Sequence, residues 1–138
     1  MPGYELIDRK ERNLVNKIFD QNNGVLFAHS FENIRKKYYV REFEQNLIKH
    51  FKSKYNLCVS SGTAAIKIAL KSLGIKKGDQ VITQSFNFVA TVEAIIDIGA
   101  KPIIVKIDKS LNLCPLDLER KITKKTKAVI AVHMLGFS

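Results

Sequence analysis

The spacing of hydrophobic residues changes partway along the chain, near Lys54. Before it, residues 4–22 and 38–53 carry apolar side chains at helical spacing and predict two amphipathic helices. After it, short apolar runs alternate with helical patterns, which is typical of an α/β arrangement. The pattern therefore predicts an N-terminal helical segment, residues 1–53, followed by an α/β region, residues 54–138.

The α/β region alternates strands and helices throughout. The predicted strands are Leu57–Val59, Val81–Thr83, Pro102–Ile107 and Ala128–Val132. The predicted helices are Ala64–Leu73, Val89–Ile98 and Leu116–Ile122. This order predicts crossover connections and a mainly parallel sheet with helices on both faces. Ligands of such sheets bind at the carboxyl ends of the strands, where three loops qualify: Ser60–Thr63, Gln84–Phe88 and His133–Ser138.

The first of these loops has the composition of an anion site. It lies where a helix presents unpaired backbone N–H groups and the positive end of its dipole. Gly62 lets the backbone approach a ligand closely, and the hydroxyls of Ser61 and Thr63 add donors, which suits a phosphate or a carboxylate. A plain helix N-cap explains the same residues equally well. The chain has neither dinucleotide-binding nor triphosphate-binding glycine motifs, so a bound phosphate would belong to another cofactor.

The second loop carries two aromatic residues, Phe86 and Phe88, in the run QSFNFVAT. An aromatic ring at a strand-to-helix junction could stack on a flat heterocycle. The alternative is that both rings belong to the core, and for Phe86 this is the favoured interpretation.

Charge and composition bear on the partners. The net charge is +10, which raises the possibility of nucleic acid, but the basic residues are scattered and the densest run, Arg120–Lys127, contains no aromatic residue. A solvated helix end is favoured there, no nucleic-acid partner is predicted, and an anionic substrate is compatible. No apolar run is long enough to span a membrane and the N-terminus does not resemble a signal peptide, so we expect a cytoplasmic protein that does not bind a membrane.

Cysteine and histidine usage predicts no metal site and no disulfide. Cys58 and Cys114 are far apart and are expected to be free thiols. His29, His50 and His133 share no metal-binding spacing with either cysteine.

A long stretch resembles a known family. The run SSGTAAIKIALKSLGIKKGDQVITQSFNFVATVEAIIDIGAKPIIVKID is similar to the N-terminal half of the DegT/DnrJ/StrS sugar aminotransferases, and the likeness extends from about Tyr39 through LNLCPLDLERKITKKTKAVIAVHMLG. These are enzymes of fold type I that use pyridoxal 5'-phosphate (PLP). The resemblance implies an α/β fold, part of the large PLP-binding domain of fold type I, with the helical segment in front of it.

The resemblance also implies which residues bind the cofactor. In the family the SGT turn holds the phosphate of PLP, largely through backbone N–H groups. This implies Gly62, Thr63 and Ala64 here, with Ser61 a lesser candidate. The aromatic residue ahead of the V-A-T run stacks on the pyridine ring, which implies Phe88.

Gln84 departs from the family pattern, whereas His133 and Gly136 match it. The family often has proline where this chain has Gln84, so the loop after it is expected to be held differently. His133 and Gly136 match the family's VH-x-x-G strand end, and no catalytic role is assigned to His133.

The activity implied is transfer of an amino group, usually from glutamate, to the keto group of a nucleotide-linked sugar, in a homodimer. In the family, the Schiff-base lysine and the aspartate that holds the pyridine nitrogen follow the VH-x-x-G strand, beyond Ser138 here. We therefore expect a truncated chain that has no catalytic residue and is inactive alone. Two alternatives stay open: a non-catalytic PLP-fold binding or regulatory protein, and a basic nucleic-acid-binding domain.

Overall fold

The computed structural model describes residues 4–21, 26 and 37–136. The chain divides into two compact units, Met1–Cys58 and Val59–Ser138. The predicted end of the first helix after Gln21, the side chain of His29 and the last two residues of the predicted loop His133–Ser138 lie outside the described residues.

The first unit contains a 3-10 turn, Tyr4–Leu6, and the helices α1, Arg9–Gln21, and α2, Tyr39–Phe51. A single helix over residues 4–22 was predicted, and this was wrong because Asp8 starts a new helix. The Asp8 carboxylate accepts a hydrogen bond from the Lys10 N–H (2.7 Å), and the Asp8 N–H donates to the Glu11 carboxylate (2.8 Å). This reciprocal pair is a capping box, which satisfies backbone N–H groups at a helix start.

The predicted strand Leu57–Val59 is not a strand in the structure. A strand requires hydrogen bonds to a neighbour, and no described strand pairs with this segment. The Cys58 N–H instead donates to the carboxylate of Glu44 on α2 (2.8 Å). The apolar run was identified correctly, but hydrophobicity alone does not supply a pairing partner.

The other predicted elements of the second unit are all present, with shifted ends. The helices are α3, Gly62–Ser72; α4, Ala90–Asp97; and α5, Pro115–Lys121. The strands are β1, Gln80–Gln84; β2, Lys101–Val105; and β3, Thr126–Ile130. A short 3-10 turn, Met134–Gly136, follows β3.

The three strands form a parallel sheet in the order β2-β1-β3, which confirms the predicted α/β class and strand direction. The central strand is β1, in which Val81 to Gln84 are each no more than 1% exposed. Successive strand residues point to opposite faces of a sheet, so both faces of β1 are covered.

The core of this unit lies between the sheet and the helices α3 and α4. Its buried cluster consists of Leu70, Ile75, Val81, Ile95 and Ala100. Helix α4 packs against α3 and the sheet, and α5 packs against β2. The core therefore fixes the starts of α3 and α4 relative to the carboxyl ends of the strands.

The described residues were searched for membrane-spanning helices, metal-binding clusters and disulfides. Within the described ranges, no helix is long and apolar enough to cross a membrane, and no cluster of side chains suits a metal ion. Cys58 and Cys114 are free, as predicted.

Candidate functional site

The start of α3 presents unpaired backbone donors. Ser61 is the N-cap, and its Oγ accepts a hydrogen bond from the Ala64 N–H (3.1 Å). The N–H groups of Gly62 and Thr63 have no acceptor among the described residues. The N-cap interpretation is therefore correct for Ser61. The N–H groups of Gly62 and Thr63 are unpaired, as the first N–H groups of a helix are, and their binding of an anion stays a prediction.

Gly62 leaves open space beside these donors. A Cβ built at Gly62 would meet nothing within 4 Å, and its backbone is not in the left-handed region that favours glycine. The fold therefore does not require glycine at this position. The missing side chain instead keeps the approach to the two N–H groups clear.

Phe88 lies just before α4 and is 76% exposed, although the first residues of that helix, Ala90 and Thr91, are buried. Phe86 is 43% exposed, so the interpretation that favoured a core position for Phe86 was wrong.

A cavity of about 460 Å³ joins these features. Its lining residues are Gly62, Thr63, Ile66, Phe88, Ala90 and Thr91. The structure thus brings together three of the predicted cofactor residues, Gly62, Thr63 and Phe88. Of the other two, Ser61 caps the helix and Ala64 donates its N–H to that cap, and neither lines the cavity.

The residues present fit the phosphate and ring of PLP. Two free N–H groups at the positive end of a helix dipole suit a phosphate. Beside them stand an exposed aromatic face and a cavity within the usual size range of small-molecule sites. The lining contains no charged side chain, so attraction for an anion at this lining comes from backbone groups.

A second cavity, of about 310 Å³, lies at the carboxyl ends of β1 and β3. Its lining residues are Gln84, Ser110, Asn112, Leu113, Ala131, Val132 and His133. Of the three loops expected at this edge of the sheet, each contributes to one cavity or the other. Three of these lining residues, Ser110, Asn112 and Leu113, were not predicted as part of a site, because the turn that contains them after β2 has no recognisable motif.

Two aspartates on the segment from β2 to α5 have lowered pKa values. The pKa of Asp117 is lowered by the backbone N–H of Lys106 and then by the ammonium of Lys121. The pKa of Asp108 is lowered chiefly by hydrogen bonds from Ser110. Both aspartates order this segment, and neither lines a cavity described above.

Comparisons with known proteins place the geometry in context. The GDP-perosamine synthase of Vibrio cholerae is 39% identical over 138 residues, covering 99% of this chain and 35% of that protein. The UDP-2-acetamido-2-deoxy-3-oxo-D-glucuronate aminotransferase of Pseudomonas aeruginosa is 43% identical over 98 residues, covering 70% of this chain and 27% of that protein. The chain thus spans about a third of the length of the curated relatives it matches.

A solved structure shows the same fold. The GDP-4-keto-6-deoxy-D-mannose-3-dehydratase of E. coli, solved with bound hydrated PLP, superposes with a TM-score of 0.77 at 28% identity. The match covers 94% of this chain and 33% of that one. The sheet and its helices are therefore part of a fold type I PLP-enzyme domain.

The match to a family profile agrees with these likenesses. It covers residues 20–138, which include the helix start with its free N–H groups, the exposed aromatic residue and the parallel sheet. The chain belongs to the DegT/DnrJ/EryC1/StrS aminotransferase family.

Proposed function

We propose that the cavity between the starts of α3 and α4 holds PLP, and that the protein carrying this chain transfers an amino group to a keto group of a nucleotide-linked sugar. One observation carries the proposal. Gly62, Thr63 and Phe88 lie around one cavity in a chain that belongs to an aminotransferase family.

The phosphate end of the cofactor would be bound by the start of α3. The N–H groups of Gly62 and Thr63 would donate to phosphate oxygens, and the helix dipole would favour the negative charge. Ser61 holds the turn through its bond to the Ala64 N–H, which keeps the two donors in place. The open space at Gly62 allows the phosphate oxygens to approach the backbone.

The ring end would be bound by Phe88. Burial of Ala90 and Thr91 anchors the start of α4, so the exposed ring of Phe88 stands on a fixed support. A flat aromatic face of this kind stacks on a heterocycle. Bound PLP would supply the electron sink that allows an amino group to leave one carbon and join another.

The substrate class comes from the relatives. The Pseudomonas relative is named as an aminotransferase of a UDP-linked 3-oxo sugar, and the Vibrio relative as a synthase of a GDP-linked amino sugar. We propose glutamate as the amino donor. Glutamate would become 2-oxoglutarate, and its amino group would replace the keto oxygen of the sugar.

Several parts of the proposal concern residues outside the cavity. Its lining contains neither lysine nor aspartate, so we propose that the Schiff-base lysine and the partner of the pyridine nitrogen come from elsewhere in the protein. We also propose that residues 54–138 form the first part of the PLP-binding domain behind a helical segment, residues 1–53, and that the protein is a homodimer. A cytoplasmic location and the lack of a nucleic-acid partner stay predictions.

The test is an isotope-transfer assay. The purified protein that carries this sequence is incubated with PLP, [15N]glutamate and a set of UDP- and GDP-linked keto sugars, and mass spectrometry follows 15N in the sugar. We expect labelled amino sugar and an equal amount of 2-oxoglutarate, both lost in the double variant Gly62→Ala/Phe88→Ala. PLP binding without label transfer to any sugar would favour the non-catalytic alternative instead.

A further inference from the structure

Gln84 is a buried polar residue at the carboxyl end of the central strand. It is 1% exposed. Burial of an amide is unfavourable unless its donors and acceptor are all paired. The hydrogen-bond partners of this side chain therefore identify the segments that the buried amide holds together.

The amide group of Gln84 bonds to three separate segments. Its Nε2 donates to the carbonyl oxygens of Phe86 (3.0 Å) and Leu111 (3.1 Å). Its Oε1 accepts a hydrogen bond from the backbone N–H of Val132 (3.3 Å). Since two carbonyl oxygens face one end and an N–H faces the other, the partners fix which end of the amide is nitrogen.

These partners belong to loops that line both cavities. Phe86 is in the loop that carries Phe88, and Val132 precedes His133 in the second cavity. Leu111 has a left-handed backbone (φ 65°), which is unfavourable for a leucine, and Gln84 binds its carbonyl oxygen. One side chain thus connects three loop ends that lie far apart in the sequence.

Neighbouring side chains complete the arrangement. The Asn87 Nδ2 donates to the Gln84 carbonyl oxygen (2.7 Å) and to the Thr83 hydroxyl (3.1 Å). The Thr83 hydroxyl in turn donates to the carbonyl oxygen of Ile130 on β3 (3.2 Å). The loop from Ser85 to Phe88 is therefore held from both sides by buried or half-buried polar groups, while Phe88 itself is exposed.

We infer that Gln84 is a positioning residue, which fixes the loop carrying Phe88 at the cofactor cavity and ties that loop to the segments at Leu111 and Val132. The inference rests on the proposed PLP site for its effect on affinity. Its structural part concerns this chain alone and can be measured without a ligand.

The experiment compares three single variants of the chain by amide hydrogen exchange and by PLP titration. Gln84→Met removes all three hydrogen bonds and keeps the volume of the side chain, so it leaves no cavity in the core. Gln84→Glu keeps an acceptor for the Val132 N–H but places carboxylate oxygen against two carbonyl oxygens. Gln80→Met is the matched control at the other end of the same strand, where Gln80 Oε1 accepts from the Thr123 hydroxyl (2.7 Å).

The expected exchange rates separate the roles of the two ends of the amide. In Gln84→Met the Val132 N–H should exchange roughly tenfold faster, and so should the Thr91 N–H, which donates to the Phe88 carbonyl oxygen. In Gln84→Glu the Thr91 N–H should be accelerated while the Val132 N–H stays protected. Gln80→Met should change neither. PLP affinity should fall about tenfold in both Gln84 variants and stay unchanged in the control.

The contrary results are distinct. Unchanged exchange at Thr91 in Gln84→Met would overturn the positioning role, whatever PLP does. Faster exchange with unchanged PLP affinity would overturn the link to the cofactor cavity. If the unaltered chain itself does not bind PLP, the proposed site fails, and the exchange rates alone still decide whether Gln84 holds the loop.

Discussion

Gly62 has no side chain beside the two unpaired N–H groups, and we expect this to matter for PLP binding rather than for folding. Gly62→Ala places a methyl group in open space, so the free energy of unfolding should change by less than about 0.5 kcal/mol. The same methyl group narrows the approach to the two free N–H groups, so PLP affinity should fall more than about tenfold. Denaturant unfolding and PLP titration measure the two effects.

Gly78→Ala is the matched control for that prediction. Gly78 has a φ of 91°, a conformation that alanine adopts only with strain, and it lies away from the cavity lining. Its substitution should lower stability by about 1–2 kcal/mol and leave PLP affinity unchanged. If Gly62→Ala lowered stability and left PLP affinity unchanged, as expected for Gly78→Ala, then Gly62 would be required for folding rather than for binding.

The two phenylalanines of the loop should differ in their effect on PLP. Phe88→Ala should weaken PLP binding about fivefold, because stacking of an aromatic ring contributes about 1 kcal/mol. Phe86→Ala should have little effect, since Phe86 does not line the cavity. Equal losses in the two variants, measured by titration against the unaltered chain, would count against stacking on Phe88.

Sequence reasoning identifies residues whose chemistry is local, and misses those that act across the fold. The helix start at Gly62 and Thr63 could be predicted from its run of small polar residues, and Phe88 was implied by the resemblance through the V-A-T run that follows it. The role of Gln84 could not be predicted, since its partners Leu111 and Val132 are 27 and 48 residues away. The one sign of this role in the sequence is that Gln84, a polar residue, directly follows an apolar strand.

At the scale of elements, periodicity predicted the helices and the parallel strands well, because each has a repeating pattern of its own. The failure at Leu57–Val59 has a physical cause: a strand exists only where a neighbour pairs with it. The break in the first predicted helix likewise arises from side-chain hydrogen bonds at Asp8, which compete with a continuous helix.

Asp117 joins α5 to the end of β2 and gives this contact a pH dependence. Its carboxylate accepts from the Lys106 N–H (2.7 Å) and pairs with Lys121 (3.0 Å), which also donates to the Ile104 carbonyl oxygen (2.7 Å). A carboxyl pKa that folding lowers stabilises the fold above the ordinary value of 3.8, and this contribution disappears as pH falls through the folded pKa.

Asp117→Asn should therefore lower the melting temperature at neutral pH and lessen its dependence on pH under acidic conditions. Thermal melts from neutral pH to below the ordinary aspartate pKa measure both effects. Glu119→Gln, an exposed position on the same helix, is the control and should leave the profile close to that of the unaltered chain. If the melting temperature of Asp117→Asn fell with pH as steeply as that of the unaltered chain, Asp117 would not be the source of this pH dependence.

At the scale of the whole molecule, exposed apolar side chains point to association. Helix α2 has no buried residue, and Val40, Phe43 and Phe51 on it are each more than half exposed. Clusters of this kind mark contact surfaces. We expect concentration-dependent association in sedimentation velocity that salt does not weaken, since apolar burial drives it.

Phe43→Asp should reduce that association without lowering the melting temperature, because Phe43 is exposed. Lys49→Asp, which also introduces an acidic residue at an exposed position of α2, is the control and should leave the association intact. Loss of association in both variants would indicate an electrostatic rather than an apolar contact.

The most direct test of the cofactor site compares PLP with pyridoxal, which lacks the phosphate, in calorimetric titrations of the unaltered chain and of Gly62→Ala. If the start of α3 binds the phosphate, PLP should bind at least about tenfold more tightly than pyridoxal to the unaltered chain. Gly62→Ala should remove most of that difference and leave pyridoxal affinity nearly unchanged. Equal binding of the two ligands, or a phosphate advantage that survives in Gly62→Ala, would contradict a phosphate site at Gly62 and Thr63.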